Sequence, residues 1–142
     1  MLSHFKGAVG AIAIACTAGA AVAQAPDGHL TLELNAVEPA EGGCRLSFVI
    51  QHSYTADITS AVFEAVLFDG EGRVDRLTLF DMGALPQDRP RVRQFVVPDL
   101  ECEALGRLLI NGVDSCVGDG LPADACTRGL ELRSRADVEV LG

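Results

Sequence analysis

The chain has 142 residues, with 20 acidic against 11 basic side chains and a formal net charge of −9 at neutral pH. That acidity argues against nucleic acid and anionic membrane surfaces as partners. One tyrosine, six phenylalanines and no tryptophan leave few aromatic platforms for binding sugars.

The N-terminus reads as a signal peptide over 1–23. Met1 to Lys6 carries the only lysine, an apolar run of Ala, Gly, Val and Ile follows, and Ala21-Val22-Ala23 fits a signal-peptidase site. Cleavage there predicts a periplasmic or secreted protein starting at Gln24. The run is short for a membrane span, and no other stretch approaches spanning length. A rival reading makes Ile12-Ala13-Ile14-Ala15-Cys16 a lipoprotein box with Cys16 as lipid anchor. Ala13 stands where that box usually has leucine, so the soluble reading is preferred.

Residues 24–142 amount to one domain of ordinary size. Lys6 is lost with the leader, which leaves ten arginines against 20 carboxylates. Leu30, Leu32, Leu34 and Ala36 alternate with polar residues, as in a half-buried strand. Residues 38–43 read as a loop, and Cys44 to Gln51 as a second alternating strand. After the polar stretch 52–57 comes a hairpin, Ala61 to Asp81, turning through Asp69-Gly70-Glu71-Gly72. Its first arm is apolar on both faces, which predicts a strand buried on both sides.

Residues 82–89 are expected to be a loop. Arg91–Val97 and Leu105–Ile110 are expected strands, the latter closed by a turn at Asn111-Gly112. Residues 112–129 carry Gly112, Gly118, Gly120 and Pro122 and read as a loop, with one helical turn expected from Pro122. Leu130 to Val140 alternates to form a final strand. About seven short strands without a long helix predict a single antiparallel β-sandwich.

The four cysteines beyond the leader are Cys44, Cys102, Cys116 and Cys126. An even number in an exported chain predicts two disulfides, with three connectivities open. The preferred pairing is Cys44–Cys102 and Cys116–Cys126, the second closing a local loop. A thiolate metal site is disfavoured: there is no C-x-x-C pair, and only His29 and His52 remain. Both histidines read as exposed loop or strand-end residues. No cofactor, metal site or catalytic residue is expected, since no G-x-S-x-G elbow occurs and the cysteines are paired.

Two surface features stand out as partner-binding candidates. Arg89, Arg91 and Arg93 are spaced to share one face of a strand, as a docking stripe for an acidic group would. The competing reading is cross-strand pairing with Asp75 or Glu64, or an edge strand protected by charge. Asp114, Asp119 and Asp124 lie in the loop at 112–129; they suit calcium in residue type, though a solvated acidic loop is preferred.

Ala65-Val66-Leu67-Phe68-Asp69, with Gly70 or Gly72 and then Val74, resembles the bacterial immunoglobulin-like domains named for an F-x-L-Y-D motif. Leu46 to Gln51 upstream shares their layout. Ala65 stands for the motif's Phe, Phe68 for its Tyr, and His52 for the usual Asn. The likeness spans residues 44–81. It implies an extracytoplasmic immunoglobulin-like sandwich and no particular activity. The function expected is a non-enzymatic envelope accessory or protein-interaction module. The alternatives are a small-ligand or calcium-binding protein, or a secreted hydrolase inhibitor, using the 112–129 loop.

Overall fold

The alternation that begins at residue 30 becomes eight β-strands in two four-stranded sheets. The structure, a computed structural model, describes Gly19 and residues 28–142. Apart from Gly19, the expected leader lies outside the described residues, Cys16 included. In chain order the strands are β1 (Leu30–Ala40), β2 (Gly43–His52), β3 (Ile58–Asp69), β4 (Val74–Leu85), β5 (Arg91–Pro98), β6 (Leu105–Val117), β7 (Glu131–Ser134) and β8 (Glu139–Leu141). One sheet has the order β5-β2-β1-β7 and the other β4-β3-β6-β8.

Each sheet turns one face inward. Leu30, Leu32 and Leu34 of β1 and Leu46, Phe48 and Ile50 of β2 meet Phe63, Ala65 and Leu67 of β3 and Leu108 and Ile110 of β6. All are buried, as period-two alternation requires when one face of a sheet is covered by another sheet. The hairpin arm β3 sits between β4 and β6, with Phe63, Val66 and Leu67 buried. The turn behaves as its residues dictate. Asp69 Oδ1 accepts from the Glu71 and Arg73 amides, both at 2.9 Å, and Gly72 takes the positive φ of 80°.

Both preferred disulfides form. Cys44 and Cys102 stand 5.1 Å apart at Cα and tie the start of β2 to a single 3-10 turn at Cys102–Ala104. Cys116 and Cys126 are 6.1 Å apart and close the loop after β6.

Several expected boundaries move. β1 runs on through Glu38-Pro39-Ala40, so the loop shrinks to Glu41-Gly42. β4 continues to Leu85 through the expected loop at 82–89, and Gly83 absorbs the irregularity with a φ of 64°. β6 passes straight through Asn111-Gly112, because β3 lies opposite and two register shifts take up the extra residues. Pro122 starts a hydrogen-bonded turn, Ala125 N to Pro122 O at 3.1 Å, and no helix forms there.

The final strand is two. Residues 130–140 split at Arg135, so that β7 pairs with β1 and β8 pairs with β6. That makes eight strands, where about seven were expected, and both new pairings are parallel in a fold expected to be purely antiparallel.

Candidate functional site

β4 and β5 form one side of the sandwich, each the edge strand of its sheet. On β4, Phe80 and Met82 point into the core and Leu77 and Leu79 point outward. On β5, Phe95 packs against the core and Val97 is buried, while Val92 and Val96 face out. The outward set should be polar in a sheet with one solvated face. Instead Val74, Leu77 and Leu79 are 57%, 60% and 52% exposed, and Val92 and Val96 are 60% and 49% exposed. Among the described residues, five of the six large exposed apolar side chains are therefore on these two strands, and the sixth is Val117.

The apolar surface continues across the outside of β3. Leu77 lies opposite Val66, Val66 opposite Leu109, and Leu109 opposite Leu141. Val66 is only 6% exposed although it stands outside the core cluster. This row explains why β3 reads as apolar on both faces: its second face is covered by outer neighbours, with no second layer over it.

Two guanidiniums bracket the edges. Arg93 Nε donates to Met82 O at 2.7 Å and its Nη2 to Ala84 O at 3.0 Å. Arg76 Nη1 donates to Pro98 O at 2.6 Å while its Nε holds Asp75 at 2.6 Å. Carbonyls that an edge strand would leave bare are thus taken up across the side of the sandwich. Between the brackets, Phe80 and Phe95 pack with ring centroids 4.8 Å apart, and Phe48 lies 5.1 Å from Phe80. Above them runs a groove of about 250 Å³ flanked by Leu79 and Val96.

Of the three arginines proposed from the sequence, Arg91 and Arg93 share one face of β5, and Arg89 falls before the strand. Arg93 shares the inward face with Phe95 and serves as a bracket. Arg91 donates to Pro90 O at 3.1 Å, and Arg89 lies exposed in the preceding loop. Neither is ion-paired among the described residues. The carboxylates expected to meet them are engaged elsewhere: Asp75 with Arg76, and Glu64 with the Asn111 amide. β5 is an edge strand of its sheet.

The three aspartates do not converge. Asp114 lies on β6, Asp119 in the turn beyond it, and Asp124 pairs with Arg128 at 3.6 Å. Among the described residues, no three His, Cys, Asp or Glu side chains are placed to hold a metal ion. The loop is pinned a second time, by Tyr54 Oη donating to Ala125 O at 2.8 Å. Burial pushes the Tyr54 hydroxyl pKa above its ordinary value.

His52 is buried, contrary to its reading as an exposed strand-end residue. Its Nε2 lies 2.8 Å from Leu85 O, and its Nδ1 accepts from the Tyr54 amide at 3.2 Å. A carbonyl only accepts, so the proton sits on Nε2. The structure also brings together Ser53, His29 and Glu131, which are far apart in the sequence. Ser53 Oγ is 3.2 Å from His29 Nδ1, but Glu131 is 4.0 Å from Nε2 and is held by Arg133. The carboxylate is out of hydrogen-bond reach of the imidazole it would have to orient.

Among the described residues, no helix is long and apolar enough to cross a membrane. The two disulfides are compatible with an oxidising, extracytoplasmic location. No protein-family model matches the chain, and no curated protein matches it either.

Proposed function

We propose that the protein is an exported, non-enzymatic β-sandwich that works as a protein-interaction module, docking through its β4–β5 side. The observation that carries this reading is the concentration of exposed apolar side chains there: among the described residues, five of six are on the two edge strands β4 and β5. Scattered surface apolars are ordinary; exposed apolar side chains gathered along two edge strands, with Leu79 and Val96 flanking one groove, are a mark of an interface. The connectivity supports a binding scaffold of the immunoglobulin type. Strands β1, β2 and β5 neighbour one another as A, B and E do, and β4, β3 and β6 as C′, C and F do. The signal-peptide pattern at 1–23 and the paired cysteines fit export.

The test is a photo-crosslinking residue at position 79, introduced into the protein in its native envelope. A discrete adduct from position 79, with none from a control at exposed Asn35 on β1, is the expected result. Equal labelling from both positions, or none from either, overturns the reading.

A further inference from the structure

We infer that β1 takes up an extended, basic peptide segment along its edge from Val37 to Pro39. This edge lies on the opposite side of the sandwich from β4 and β5, so the site is separate from the docking side above. β7 covers the same edge of β1 only from Thr31 to Leu34. The chain then turns away at Arg135, whose amide donates to Leu34 O at 2.9 Å, while β1 runs on to Ala40.

A proline fixes which way the uncovered backbone groups point. Facing residues of an antiparallel pair alternate between hydrogen-bonded and non-bonded. Pro39 faces Cys44 and has no N–H, so it cannot complete a bonded pair. The bonded pairs are therefore Ala40–Gly43 and Glu38–Arg45, and Val37, facing Leu46, is non-bonded like Pro39. The Val37 N–H and the Val37 and Pro39 carbonyls consequently point away from β2, toward the edge that β7 has left. Among the described residues no turn or loop backbone group reaches them.

Val37 and Pro39 line a cavity of about 570 Å³, within the size range of ligand sites. Leu105, Ala136 and Val138 supply its apolar lining, and the Val37 side chain itself packs on the core. A donor and acceptors at strand spacing, beside apolar side chains, are the features by which a sheet edge accepts an added strand. Only another backbone offers the matching donors and acceptor in that row. Charge narrows the choice of segment. The charged residues lining the cavity are Glu103, Asp137 and Arg135. Arg135 Nε is taken up by Glu33 at 3.0 Å, whereas Glu103 and Asp137 make no ion pair among the described residues. A segment that alternates apolar and basic side chains complements both the lining and the carboxylates.

NMR titration of the disulfide-intact protein with a short capped peptide alternating valine and arginine tests this. The largest amide shifts should fall on Val37–Ala40 and Arg135–Val138, and exchange of the Val37 amide should slow. Two isomers of the peptide, N-methylated at every valine or at every arginine, keep the same charge but lose donors on opposite edges. One isomer should raise the dissociation constant about tenfold or more, and the other should bind as the parent does. Antiparallel docking makes the valine isomer the weak one, since the residue bonded opposite Val37 shares its inward face; parallel docking makes it the arginine isomer. The variant E103Q/D137N should raise the constant about threefold.

Equal loss or equal binding by the two isomers overturns the inference, as do shifts centred elsewhere or a charge variant without effect. If the peptide fails while position 79 gives its adduct, the β1 site falls and the β4–β5 reading stands. If the peptide binds at β1 and position 79 gives none, the reverse holds.

Discussion

Arg93 Nε sits 2.7 Å from the carbonyl oxygen of Met82, which joins the edge of one sheet to the edge of the other. The same guanidinium reaches Ala84 O, a two-point contact that a lysine ammonium cannot reproduce. Arg93→Lys is expected to cost about 1–2 kcal/mol, discounted for partial exposure, in the urea midpoint. Arg91→Lys should stay within about 0.5 kcal/mol. Equal effects at both positions would remove the bracket from the account of stability.

Tyr54→Phe deletes the hydrogen bond to Ala125 O and should cost about 1 kcal/mol. It should also change the alkaline limb of a stability profile. Because burial raises the hydroxyl's folded pKa, the folded state keeps its proton where the unfolded chain has lost it. That stability is whole below the unfolded value near 10 and declines as pH rises through the folded one. Urea titrations from neutral to alkaline pH should show the decline in the native protein and a flatter limb in Y54F.

At Glu33 the sign is opposite. The Asn35 side-chain amide, at 2.9 Å, and then Arg135, at 3.0 Å, hold its carboxyl below the ordinary value of 4.5. Its contribution is present above 4.5 and lost as pH falls through the folded pKa. Acid unfolding of Glu33→Gln should begin from a slightly lower plateau and follow a shallower slope, read by circular dichroism.

The two disulfides should differ in weight. Sequence separations of 58 and 10 imply about 4 kcal/mol of chain-entropy stabilisation for Cys44–Cys102 and about 3 kcal/mol for Cys116–Cys126. Replacing each pair by alanines and comparing denaturant midpoints checks the order. The opposite order would mean that Cys116–Cys126 acts through the native loop more than through the unfolded chain.

Gly43 is needed for space. A Cβ there would run into the carbonyl of Val97 on the neighbouring strand. Gly43→Ala should cost roughly 1–3 kcal/mol, whereas Gly112→Ala, which meets open space, should stay within about 0.5 kcal/mol. Thermal midpoints of the two variants decide it.

Much of the architecture is legible in the chain because burial on one face imposes a period of two. Leu30 to Leu34 and Leu46 to Ile50 show it plainly, and the cysteine pairing follows from which pair can close locally. What the alternation lacks is the identity of the partner strand. Residues 130–140 alternate without a break, yet the chain changes sheets at Arg135, because β1 and β6 each present an open far edge. Asn111-Gly112 has turn composition, but a long partner strand opposite keeps the backbone extended.

Less of the candidate site was visible. Arg91 and Arg93 lie on the edge strand β5, and Arg89 precedes it. Period two shows that Arg93 and Phe95 share a face, but not that this face is the inner one. Leu77, Leu79, Val92 and Val96 read as ordinary strand residues, because exposure is decided by what lies opposite and not by residue type.

The parallel pairings of β7 and β8 govern the order of assembly. Neither can arise from a local hairpin, since Thr31 waits for Glu131 and Arg107 for Glu139. Until the segment from Glu131 to Leu141 arrives, β1 and β6 stand as bare edges able to pair with another chain. Closure of the far side is therefore a late, non-local step, and non-local steps are slow. A chain emerging from its N-terminus carries both edges through the interval in which it is most open to mispairing.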